Sequence, residues 1–105
     1  MSDASTRHAD LVAALRRAVF GSPGQIDPEI RRSAGSGGPL PQPWSAYAEK
    51  VRDHSYRVTD EDISALIAAG GTEEEIFEIT IAVATGAGLH RLDAGLRALG
   101  EGDGT

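Results

Sequence analysis

Glu49, His54, Tyr56 and Arg57 bring together, within nine residues, side chains from which a cofactor-free site could be built. Glu49 and Tyr56 stand seven apart and share a face if the stretch is helical. His54 can take or give a proton near neutral pH. Arg57 can hold a carboxylate through two parallel hydrogen bonds. The combination suits a small organic acid, and these four are the catalytic candidates. The same residues also read as an ordinary amphipathic helix, with Arg57 set against its C-terminal dipole. A second set, His90 and Arg91, follows an apolar stretch rich in glycine. These two and Trp44 are the ligand-binding candidates, His90 and Arg91 being placed to face a pocket between subunits. Their competing reading is surface charge.

Other groupings carry less chemistry. Asp60-Glu61-Asp62 and Glu73-Glu74-Glu75 resemble metal ligands. Both fall in first helical turns, where carboxylates complement the helix dipole. His8, His54 and His90 lack the spacing of a zinc site. Ser36-Gly37-Gly38 lacks the Gly-Lys-Ser/Thr of a phosphate loop, and Gly86-Ala87-Gly88 follows no strand, so it is not a dinucleotide fingerprint. No metal and no cofactor are expected.

The 105 residues suit one domain and contain no cysteine, so the core is held without disulfides or thiolate-bound metal. Net charge is −6 and unevenly placed, +2 over residues 1–52 and −8 over 53–105. Nucleic-acid binding asks for a basic stripe, and an anionic membrane surface asks for the same, so neither partner is expected. The opening MSDASTRHAD has neither the basic nor the apolar region of a signal peptide. The longest uncharged apolar run, Ile79 to Leu89, is too short to span a bilayer. The expected location is cytoplasmic.

The elements that must position the candidates are all helical. Leu11, Val12, Leu15 and Val19 form one apolar stripe, which predicts a first helix from about Ser5 to Phe20, stopped by Gly21. Asp27 followed by Pro28 is a cap-and-start signal for a helix of about two turns before Gly35. GSGGPLPQP, residues 35–43, reads as a surface linker, or else as a lid or an arm anchored by Leu40 on a neighbouring subunit. A third helix runs from Pro43 or Trp44 to Tyr56 or Arg57, with Trp44, Tyr47, Val51 and His54 or Ser55 on one face. Thr59 with Asp62 has capping-box spacing, Val58 and Ile63 staple spacing, and Gly70 closes the fourth helix. Thr72 with Glu75 repeats the device. The segment 73–87 is apolar on nearly every side, which predicts burial in the core or at a subunit interface. Leu89, Leu92, Leu96 and Leu99 continue a stripe, and Gly86 and Gly88 either break this helix or thin it. The polar tail, 100–105, is expected to fray. The organisation is an N-terminal helix over 1–21, a short helix and connection over 22–43, and a helical core over 44–99. The fold class is an all-α bundle of five or six helices.

The ordered set Val58-Thr59-Asp60, Asp62-Ile63, Leu66, Ala69-Gly70, Thr72, Glu75-Ile76 resembles the carboxymuconolactone decarboxylase and alkylhydroperoxidase-D-like superfamily, over roughly residues 44–99. The segment Ala87–Arg91 is similar to it as well. The resemblance implies an alkylhydroperoxidase-D-like fold of helical hairpins and a homo-oligomer, dimer, trimer or hexamer. The peroxidase members carry C-x-x-C with a His three residues on, and the superfamily spacing puts Tyr56, Thr59 and Asp62 at those places. None of these supports dithiol chemistry. The chain is therefore expected not to be a thiol peroxidase. Its expected role is binding, scaffolding or assisting a partner protein. The alternative is a cofactor-free lyase or isomerase acting on a small carboxylate.

Overall fold

The computed structural model describes residues 2–103 and is an all-α bundle with no strand among them. Five helices follow in order: α1 (Ser2–Arg16), extended by a π-helical turn (Arg17–Gly21); α2 (Pro28–Ser36); α3 (Trp44–His54), extended by a 3₁₀ turn (Ser55–Arg57); α4 (Asp60–Ala68); and α5 (Glu73–Asp103).

The helix boundaries follow local chemistry. The Asp27 side chain accepts from the Glu29 amide at 2.8 Å, and Pro28 opens α2. That helix runs through Gly35 to Ser36, two residues further than expected, with Gly37 as its left-handed C-cap. At α4, the Asp62 carboxylate takes the Thr59 amide at 2.8 Å. At α5 both halves of the box form: Thr72 N to Glu75 Oε1 at 2.9 Å, and Glu75 N to Thr72 Oγ1 at 3.1 Å. Val58 and Ile63 lie half-buried against the core, as a staple requires. Gly70, with φ of +104°, takes the left-handed conformation that ends α4, and the Gly71 amide returns to Leu66 O at 2.9 Å.

The core forms where α2 and α3 pack on the first half of α5. Ile79, Ala82 and Val83 are fully buried there, with Ile76, Tyr47, Ala48, Trp44, Leu66, Ile26 and Ala34 around them. Each large aliphatic side chain so buried contributes about 1.5–3 kcal/mol. Ile26 and Ala34 come from the segment 22–43, so that segment builds core as well as connecting. Leu40, half-buried, packs on the same cluster, so the Pro-rich connection is strapped to its own domain there.

Within the single chain the α5 segment 73–87 buries one face against the core and leaves Phe77, 65% exposed, Ile81 and Ala84 uncovered. The first stripe is likewise incomplete, with Leu11 and Leu15 exposed while Val19 and Phe20, re-aimed by the wider π turn, reach the core. Gly86 and Gly88 do not break α5, which is one helix of 31 residues. Gly86 is needed for a different reason. A Cβ there would overlap the Gly35 carbonyl, so α2 and α5 approach backbone to backbone. Of the tail, residues 100–103 continue the helix, and 104–105 lie outside the described residues. The long α5 gives the molecule extents of 52 × 28 × 21 Å and a radius of gyration of 16.0 Å. A compact domain of this length has about 13 Å.

Candidate functional site

The close approach of α2 to α5 leaves an open cleft of about 1070 Å³ between the π turn, α2, the end of α3 and the middle of α5. Phe20, Ala87 and Leu89 give it an apolar floor. Phe20 fits because Gly35 opposite it has no side chain: a Cβ there would strike the ring.

Five guanidinium groups border this floor. Arg16 and Arg17 come from the α1–π junction, Arg32 from α2, Arg52 from α3 and Arg91 from α5. Two carboxylates, Asp53 and Asp93, stand among them. Asp93 already pairs with Arg97 at 2.8 Å, and Asp53 lies 3.7 Å from Arg52 Nε. Arg91 Nη2 donates to the Arg52 carbonyl at 3.4 Å, tying α5 to α3. Among the described residues, the side chains of Arg16, Arg17 and Arg32 make no hydrogen bond or ion pair. A cluster of like charges held in one concavity raises the local concentration of anions and steers them inward.

The rim is held by contacts that sequence patterns do not reveal. Arg31 is 4% exposed. Its Nη1 donates to Val19 O at 2.8 Å and its Nη2 to Ser22 O, so a buried cation clamps both ends of the segment that carries Phe20 and Gly21. On the other side of α2, the Glu78 carboxylate accepts the Gln25 amide at 2.8 Å and the Ile26 amide at 3.1 Å. It thereby docks the loop before α2 onto α5, and Gly24 leaves the space this carboxylate occupies. Tyr47 and Thr80 bridge α3 and α5 at 2.6 Å. Thr80 Oγ1 gives its proton to Ile76 O, so the Tyr47 hydroxyl is the donor to Thr80.

The sequence candidates separate into three groups. His90 and Arg91 both line the cleft. His54, Tyr56 and Arg57 do come together: the His54 and Tyr56 rings meet edge to face at 6.1 Å, and Arg57 lies over the Tyr56 ring at 5.6 Å. That trio sits on open surface outside the cleft, with Tyr56 77% exposed, because α3 ends at His54 and the 3₁₀ turn swings the residues outward. Glu49 is exposed and joins none of them. Trp44 is buried in the core, its ring against Gly71. Arg16, Arg17, Arg32 and Arg52 escaped the sequence reading. Their one signal was that half of the chain's ten basic residues, counted together with Arg91, fall on one side of the bundle once it is folded.

Among the described residues no group of three His, Asp or Glu is placed to hold a metal ion, and no helix is long and apolar enough to cross a membrane. No protein-family model, curated protein or solved structure matches this chain. The cleft itself is therefore the guide to function.

Proposed function

We propose that this protein is a thiol-less member of the alkylhydroperoxidase-D-like superfamily that acts as an oligomeric binding or enzyme-accessory protein, and that the cleft takes a small organic anion. The family reading rests on the ordered run from Val58 to Ile76. The binding reading rests on one observation: an acidic chain gathers five arginines around an apolar floor and leaves three of them without a partner among the described residues. Such unspent guanidiniums cost little in a monomer exposed to water and become useful only when an anion arrives. The chain has no thiol, so peroxide reduction by a cysteine pair is not part of this function.

The test is titration of the protein with small carboxylates and inorganic phosphate, followed by amide chemical shifts. Saturable shifts focused on residues 16–21, 32–37 and 86–93 are expected. Shifts that are absent, or spread evenly over the surface, would defeat the reading. Oligomerisation is supported by the uncovered Leu92, Leu96 and Leu99 on α5 and by Phe77 and Ile81 nearer its start. Light scattering giving a monomer at high micromolar concentration would remove that part.

A second reading is a cofactor-free lyase or isomerase acting on a small carboxylate. The observation that favours it is that His90, an acid or base near neutral pH, shares the cleft with Arg91 and Arg52. Under this reading His90→Gln abolishes turnover and leaves binding within about threefold. Under the binding reading there is no turnover to lose.

A further inference from the structure

We propose that the ligand of the arginine cleft is a polyphosphate-bearing small molecule, of the nucleoside diphosphate kind, and not a simple carboxylate. This rests on the reading that the cleft binds an anion, and adds its class. Two observations carry it.

The first is charge. Among the described residues that line the cleft, Asp93 is taken up by Arg97, and Asp53, beside Arg52, is the one other carboxylate against five guanidiniums. One carboxylate would leave most of that charge unmet. A diphosphate carries about three negative charges and many acceptor oxygens, which paired guanidinium forks match.

The second is the floor. Phe20 and Ala87, both partly exposed, line the cleft together with the five arginines. An apolar or aromatic moiety attached to the phosphates finds contact there. The sequence has no Gly-Lys-Ser/Thr phosphate loop, so recognition would come from side chains and not from a backbone cradle.

The probes are pyrophosphate, ADP, inorganic phosphate and succinate, titrated calorimetrically into the full chain at two salt concentrations. Pyrophosphate and ADP are expected to bind at least tenfold more tightly than phosphate or succinate, with ADP the tighter of the two. The double variant R17Q/R32Q should lose at least tenfold in ADP affinity while its melting temperature stays put. Arg57→Gln, outside the cleft, should change nothing. Succinate binding as tightly as pyrophosphate would overturn the polyphosphate class and leave the anion site standing. No binding by any of the four would overturn both. An equal loss in Arg57→Gln and R17Q/R32Q would reduce the effect to general surface charge and overturn the site.

Discussion

Where α5 begins, carboxylates are bound to backbone amides; where it passes the π turn, guanidiniums face open space. Around the acidic end, Glu75 holds Thr72 N, Asp62 holds Thr59 N and Glu78 holds two amides of the loop before α2. Asp27 does the same for α2. These acids close helix starts and fasten segments, so their charge belongs to the architecture. At the cleft, Arg16, Arg17 and Arg32 fasten nothing among the described residues. A net charge of −6 does not describe every part of the surface. Some of the acid is committed within the fold, and half of the ten basic residues are gathered at one cleft.

This contrast can be broken by substitution. The largest effect is expected at the contact that supports the cleft floor. Gly86→Ala drives a Cβ into the Gly35 carbonyl and should cost about 3 kcal/mol in urea unfolding. Its control is Gly88→Ala, which meets nothing within 4 Å and should gain about 0.5–1 kcal/mol from helix propensity. Equal effects at the two glycines would mean that α2 and α5 do not touch as described. Next comes Glu78→Ala, which strands two amides and should cost about 2 kcal/mol, against Arg32→Gln, which should stay within about 0.5 kcal/mol. If Arg32→Gln proved the more damaging, the division between structural acids and available bases would be wrong. Glu75→Ala, which removes one half of a capping box, should cost about 1 kcal/mol.

The smallest effect is a pH dependence. Lys50, bonded to both Asp62 oxygens at 2.9 and 3.0 Å, and then the Thr59 amide hold the Asp62 carboxyl below the ordinary carboxylate range. A folded-state pKa below the unfolded one means the stabilisation is complete above the unfolded value of about 4. It disappears as pH falls through the lowered folded value. Asp62→Asn should therefore flatten the stability profile in acid and leave other pH ranges parallel to the parent. A profile unchanged in acid would show that this pair adds nothing to the α3–α4 junction.

What could be read from the residues was what is settled within a few positions of itself. Thr59 with Asp62, Thr72 with Glu75, Asp27 before Pro28 and Gly70 after Ala69 each act over one turn, and the helix boundaries followed from them. The cleft could not be read that way. Glu78 meets Gln25 across 53 residues, and Gly86 meets Gly35 across a comparable distance, with no periodic signal on either side. His90 and Arg91, which line the cleft, stood out in the sequence because they adjoin a distinctive segment. Arg16, Arg17, Arg32 and Arg52 are scattered over three elements and acquire a common meaning only when those elements pack. The His54 group was legible as a cluster but its place on open surface was not, because spacing along a helix does not say whether its end is roofed.

The unbroken course of α5 has an evolutionary consequence. Glu78, Thr80, Val83, Gly86, His90 and Arg91 all ride on one continuous helix. Their rotational phase is thus shared from loop dock to cleft wall. Adding or deleting one residue between Gly86 and His90 would turn His90 and Arg91 by about 100° while the buried half stayed in place. Descendants of this chain can exchange the side chains that face the cleft, but the number of residues separating them from the core is fixed.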